Sequence, residues 1–380
     1  MYRLTEEQVL LRNTVERIVK DKVLPEAAKI DETDEFPWDI IRMFHEQGYL
    51  TMLLPEEYGG GGETITNWCI ILEEIAKASL TCGLTCFTSG GVQLPIIVGG
   101  SREVKAHYFP LFCKEFKILA LSQTEPGAGS DVAGIRTRAV FDGKDYIING
   151  RKSLITNGDI ADFYLTIAVT DHTKTQKGMS AFIVEKGTPG LSFGSREEKM
   201  GMRGSPTTDV IYEDVRVPQQ NLVGKEDEGF IVMMEAFDRM RPGIAALAIG
   251  IAQGAFKYSV KYSKERHAFH KTLSEFQGIQ FMLANMATLI EAARSLLFKT
   301  TSMLDDDEEN AGKYSSMSKL FASDVAMKVT TDAVQILGGY GYLRAHPVER
   351  MMRDAKLTQI FEGANQIQQI IIARSILSKV

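Results

Sequence analysis

Tyr146-Ile147-Ile148-Asn149-Gly150, followed by Tyr164-Leu165-Thr166-Ile167-Ala168-Val169, decides the fold, because short β-branched and aromatic runs cut by turn residues read as strands. Arg138-Ala139-Val140 and Ala181-Phe182-Ile183-Val184 continue the pattern. Asp142-Gly143, Asn149-Gly150 and Asn157-Gly158 between these runs supply the positive φ values that tight hairpins need. Residues 119–223 therefore predict an antiparallel β-domain.

Outward from this segment the period changes to that of helices. From Thr5 to about Phe116 the apolar residues recur at helical spacing (Val9, Val15, Ile18, then Ile40, Ile41, Phe44), with Pro25, Pro37, Pro55 and Gly59 to Gly62 between helices. Residues 1–118 thus form an N-terminal helical domain, and the four glycines read as an ordinary loop. Beyond Gly224 long helices are predicted over Phe230–Met240, Gly243–Arg266, Phe276–Leu304, Ala311–Leu337 and Gln366–Leu377, so residues 224–380 form a C-terminal four- or five-helix bundle. The class is α+β, and a chain of 380 residues with 44% hydrophobic residues can bury the core this requires.

The 43 basic and 49 acidic residues give a net charge of -6, which points to neither nucleic acid nor an anionic membrane surface. The start of the chain lacks an apolar signal-like region and no stretch reads as a membrane span, so the expected location is the cytoplasm, or an organelle matrix after processing. Cys69, Cys82, Cys86 and Cys113 have no zinc-type spacing and read as reduced interior thiols; no metal is expected.

Four segments carry the chemistry. In Leu121-Ser122-Gln123-Thr124-Glu125-Pro126-Gly127-Ala128-Gly129-Ser130-Asp131 the proline and glycines force a turn that exposes backbone amides. Thr124 and Ser130 add hydroxyls there, and a ligand-free loop is the alternative. The second segment, Gly150-Arg151-Lys152-Ser153-Leu154-Ile155-Thr156-Asn157-Gly158, is a strand end and turn. Phe237-Asp238-Arg239-Met240-Arg241-Pro242, with Arg266-His267-Ala268-Phe269 and Phe276-Gln277, offers arginines for multidentate contacts with anions, set against plain surface ion pairs. In the fourth, Gln335-Ile336-Leu337-Gly338-Gly339 breaks a helix, and Ile360-Phe361-Glu362-Gly363-Ala364-Asn365-Gln366 sets a carboxyl among apolar neighbours. Desolvation there would raise the pKa of Glu362 and suit it to general-base work, whereas a lone Glu before Gly is usually a surface residue.

These segments, in this order across essentially the whole chain, resemble the acyl-CoA dehydrogenase family. The resemblance implies that family's fold, an FAD cofactor and the α,β-dehydrogenation of an acyl-CoA thioester to a 2-enoyl-CoA, with Glu362 as the catalytic base. By the same resemblance, FAD would be held by Leu121, Gln123, Thr124, Gly129 and Ser130, by Leu154, Ile155 and Thr156, and by Gln335, Ile336, Gly338, Gly339, Ala364 and Gln366. Arg266, Phe269 and Gln277 would join them, partly across a subunit boundary. Acyl-CoA would meet Gly91, Ser130, Phe237, Asp238, Arg241 and Gly363. Electron-transferring flavoprotein as acceptor and a homotetramer also follow from the family.

The sequence departs from the family pattern at three places. Leu154 stands where an aromatic residue is common, Ala364 where a hydroxyl is frequent, and Gly91 where a larger residue is often found. The resemblance implies a short- or medium-chain or an alicyclic acyl group; a glycine there would widen the pocket for a branched or alicyclic one, such as cyclohexanecarboxyl, or merely ease a helix crossing. The absence of Arg and Lys between Thr81 and Leu94 argues against a dicarboxylyl thioester. An oxygen-using acyl-CoA oxidase, a non-catalytic assembly partner and a plain helical interaction module are the competing functions, and the presence of Glu362 counts against the second.

Overall fold

The protein is described from a computed structural model that covers residues 3–377. The N-terminal helices are α1 (Glu6–Ile18), α2 (Ala27–Thr33), α3 (Trp38–Glu46), α4 (Ile65–Ala76), α5 (Leu80–Gly91), α6 (Leu94–Gly99) and α7 (Arg102–Lys114). Polar side chains start four of them: Thr5, Thr64, Ser79 and Ser101 each accept a backbone N–H three residues on. Helices α4 and α5 are almost wholly buried, with Trp68 stacked on Phe87 at 5.4 Å between ring centres.

Strands β1 (Leu119–Ser122), β2 (Arg138–Phe141), β3 (Asp145–Thr156), β4 (Phe163–Val169), β5 (Met179–Glu185), β6 (Leu191–Phe193), β7 (Thr207–Pro218) and β8 (Leu222–Val223) build one sheet. Its order is β6-β7-β3-β2-β4-β5-β8, with β1 also on β4. Most neighbours are antiparallel as expected, but β1 and β4 run parallel, and Arg138 pairs with Val169 in the same sense. Asp142-Gly143 makes the expected hairpin, with Gly143 at φ +100°. Asn149-Gly150 makes none. It lies inside β3, where the register against β7 slips, and a Cβ on Gly150 would stand 2.3 Å from Thr137 Oγ1, so the glycine serves a bulge and a close chain approach. Asn157 ends β3 at φ +63°, but β4 pairs with β1, β2 and β5 instead of folding back on β3.

The C-terminal part holds α8 (Gly229–Glu265), a small hairpin of β9 (His267–Ala268) and β10 (Lys271–Thr272), α9 (Gln277–Asp305), α10 (Ala311–Leu337), α11 (Val348–Ala355) and α12 (Asn365–Leu377). The interruption expected between Met240 and Gly243 is absent, and α8 runs through Pro242. The proline has no N–H to give the carbonyl of Asp238, and Ser315 Oγ on α10 donates to that carbonyl at 2.6 Å instead.

The reading of no membrane-length apolar stretch is corrected by three helical spans. Leu80–Gly99, α8 and α9 are long and apolar enough for one; the apolar window is 83% buried within the molecule in the first and 28% in the last. Arg353 on α11 ties the three parts together, pairing with Asp31 at 2.6 Å and donating to the carbonyl of Met200, while Asp354 accepts the N–H of Met202.

Candidate active site

The first two segments meet through the backbone. Ser153 N–H donates to Thr124 O at 2.8 Å, and the Glu125–Ala128 turn closes on paired backbone bonds. Beneath them Lys152, fully buried, donates to Gln123 O and to Glu125 Oε1, both at 2.9 Å, while Glu125 also accepts the N–H groups of Arg136 and Thr137. Burial pushes the Glu125 carboxyl up, but Lys152 and the hydrogen bonds from Thr137 outweigh it and hold the carboxyl below its usual range. Glu125 therefore orders the loop. Gly129 and Ser130 are exposed at its rim, and Leu121, Gln123, Thr124 and Thr156 are partly buried near it.

Leu154 is 64% exposed and sits at φ +58°, lifted out of the sheet by a second register slip between Lys152 and Ile155. An apolar side chain in left-handed backbone is costly, and such cost is retained where a site requires the geometry. Ile155, next to it, points into the core at 2% exposure.

Glu362 stands in the turn between α11 and α12 at φ +53°, followed by Gly363 at φ +86°. Its Oε2 is buried and has no hydrogen-bond partner among the described residues. Burial lifts the carboxyl to about 7, against the opposing pull of Arg241 and Lys319. Arg241 comes from α8, is 5% exposed, donates to Asp238 Oδ1 at 2.5 Å and leaves a buried Nε without a partner among the described residues. Phe237 packs beside its guanidinium, 5.8 Å from ring centre to Cζ. The third and fourth segments thus bring one poised carboxyl against one cation whose hydrogen-bonding capacity is not used up. Ala364 is partly buried beside this turn, and Gln366 is exposed on α12.

A concavity lies where α8 ends against α10. It encloses about 550 Å³ and is lined by Arg266, Ile336, Gly338, Gly339 and Tyr340 among others. No atom lies within 4 Å of where a Cβ on Gly338 or Gly339 would stand, so this pair faces open space. Arg266 lies over the Tyr340 ring at 5.0 Å. Gln335 is exposed beside it. Phe269, 87% exposed at the tip of the β9–β10 hairpin, and Gln277, exposed at the start of α9, do not line this concavity. Gly91 is also apart: a Cβ there would meet Met240, Trp68 and Phe87 at 3.4 to 3.7 Å, ordinary contact distances, so the glycine sits where α5 packs against α4 and α8.

Family models described as acyl-CoA dehydrogenase N-terminal, middle and C-terminal domains match residues 5–115, 120–215 and 227–377. The chain belongs to the acyl-CoA dehydrogenase family. Among acyl-CoA dehydrogenase relatives, "Cyclohex-1-ene-1-carbonyl-CoA dehydrogenase" of Syntrophus aciditrophicus is 46% identical over 99% of this chain and 91% of its own. "Cyclohexane-1-carbonyl-CoA dehydrogenase" of Geobacter metallireducens is 43% identical over 100% of both chains. A solved acyl-CoA dehydrogenase of Bacillus anthracis, described as complexed with FAD, superimposes with a TM-score of 0.92 at 32% identity, covering 99% of this chain and 67% of that one.

As an acyl-CoA dehydrogenase the chain is an oxidoreductase that uses FAD. The residues present fit that group: the exposed, strained Leu154 offers an apolar surface to a ring, and the open Gly338-Gly339 backbone beside Arg266 offers close approach and a cation to a diphosphate. Lys152, Lys319, Asn365 and Gln368 were not singled out from sequence. The signal for Lys319 was available, because Ser315, Lys319, Ala322 and Ala326 share one helical face with Ala311, and all are buried.

Proposed function

We propose that the protein dehydrogenates an alicyclic acyl-CoA, of the cyclohexanecarboxyl type, between the α and β carbons. The observation that carries the chemistry is the buried, unpartnered Glu362 Oε2 on a carboxyl raised to about 7. A carboxylate in that range takes a proton well near neutral pH, and none of its affinity is spent on an internal partner. Bound FAD would supply the acceptor for the β hydride. Glu362 removes the α proton, and Arg241, already half-committed to Asp238, adds positive charge near the forming enolate. Thr124 and Thr156 would hold the ring edge of FAD and Arg266 its diphosphate. The alicyclic choice is supported by the names of the relatives at 43% and 46% identity, and not by Gly91, whose surroundings are packed.

Electrons then pass to electron-transferring flavoprotein, and the enzyme works as a homotetramer in the cytoplasm or an organelle matrix, in the breakdown of alicyclic or fatty acids. The exposed Phe269 and Gln277, standing outside their own subunit's concavity, suit contacts with FAD in a neighbouring subunit. A panel of acyl-CoAs mixed anaerobically with the yellow protein tests the substrate class. Fastest flavin bleaching is expected with cyclohexanecarboxyl-CoA; clearly faster bleaching with butyryl- or octanoyl-CoA would sink the alicyclic assignment.

A further inference from the structure

We propose that Lys319 is a positioning residue for Glu362, fixing the turn that carries the carboxyl and biasing it toward the ionised form; this rests on Glu362 being the base. Lys319 sits in the middle of α10 with no exposed surface. Its ammonium donates to Gly363 O and to Asn365 Oδ1, both at 2.9 Å. Asn365 is locked in turn by Ser323 at 2.9 Å and Asp324 at 2.9 Å, and Asp324 also accepts from Gln359 at 2.6 Å.

The turn needs such a tether. Two successive residues, Glu362 and Gly363, occupy left-handed backbone, and for a glutamate this conformation is sparsely populated. Gln368 Nε2 holds the same turn from the α12 side, at 3.2 Å from Glu362 O and 2.9 Å from Gly363 O. The Gly363 carbonyl is therefore gripped from two helices, and only one grip is charged. A lysine fully removed from water is expensive unless it meets compensating partners. Burial does pull this ammonium down, to about 8, with Glu362 and Asp324 opposing the change and Arg241 reinforcing it. The charged groups around Glu362 are thus Arg241 from α8 and Lys319 from α10, with Asp238 beyond Arg241 and Asp324 beyond Lys319.

The two cations do different work. Arg241 keeps an uncommitted Nε in the site, whereas Lys319 spends the bonds named above on the turn itself. Removing Lys319 should loosen the presentation of the base and also raise the pH at which it ionises.

The test compares Lys319→Met, Lys319→Gln and Lys319→Arg with the unchanged protein and Glu362→Gln, all as yellow FAD-loaded protein, in anaerobic bleaching by cyclohexanecarboxyl-CoA across pH. Lys319→Met should move the ascending limb of the rate up by about 1 pH unit and lower its plateau about 10-fold. Lys319→Gln, which keeps a donor for Gly363 O, should move the limb similarly with a smaller plateau loss. Lys319→Arg, which keeps the charge, should leave the limb where it was. Urea midpoints of Lys319→Met with and without Glu362→Gln, followed against pH, read the same shift without turnover. An unmoved limb in both neutral variants overturns the proposal, and Lys319→Gln against Lys319→Arg decides it should Lys319→Met fail to accumulate. Bleaching of Glu362→Gln at the normal rate would instead overturn the assignment of the base.

Discussion

Replacing Glu362 by Gln should stabilise the protein, and should do so only above about pH 5. The Glu362 carboxyl moves from 4.5 to about 7 on folding, mainly because burial penalises the charged form. For an acid raised in this way the folded state binds the extra proton between those two values. Stability therefore falls as pH rises through that window and stays low above it. At ~1.4 kcal/mol per pH unit, a rise of about 2.5 pH units means that the ionised carboxylate costs the fold about 3.5 kcal/mol at alkaline pH, while the neutral glutamine carries no pH-dependent cost. Urea denaturation of both proteins, FAD-loaded, at about pH 5 and about pH 8.5 measures the difference. The difference between Glu362→Gln and the unchanged protein should shift in favour of the variant by about 3 kcal/mol from the acid end to the alkaline end. A difference that does not change with pH would refute the claim that the fold desolvates this carboxyl, and with it the reason for its poise as a base.

Two other substitutions probe the frame around the site. Lys152→Met leaves Glu125 buried without its cation, so a loss of about 3 kcal/mol is expected together with weaker FAD retention, read by urea midpoint and by flavin absorbance after gel filtration. Ser315→Ala leaves the Asp238 carbonyl without the hydroxyl that replaces the missing Pro242 N–H; a loss of about 1 to 2 kcal/mol should appear in the same denaturation assay, with flavin content unchanged.

Much of this was legible in the sequence because it depends on local pattern. The three-part order of helices, strands and helices follows from the change in apolar period, whereas Glu362, by itself an ordinary carboxylate before a glycine, stands out through the resemblance of its segment and three others to the family. What escaped reading depends on contacts between distant residues. Asn149-Gly150 has the composition of a hairpin, yet the glycine is demanded by Thr137 across the sheet. Pro242 looks like a helix stop, yet α8 continues because Ser315, distant in sequence, satisfies the carbonyl the proline leaves free. At Gly91 the neighbours within contact range of a Cβ are Trp68, Phe87 and Met240, two of them on other helices, and nothing in the local sequence names those two. Lys319 was visible only as a lysine on a small, apolar helix face, and its partners lie in a turn more than forty residues away.

The central claim is that Glu362 removes the α proton of an acyl-CoA. Anaerobic mixing of cyclohexanecarboxyl-CoA with the FAD-loaded protein, compared with Glu362→Gln under the same conditions, tests it most directly. Rapid bleaching of the flavin is expected from the unchanged protein, at a rate that rises with pH through about 7, and a loss of at least ~10³-fold in the variant with FAD and ligand binding retained. Bleaching of the variant within a few-fold of the unchanged protein would contradict it.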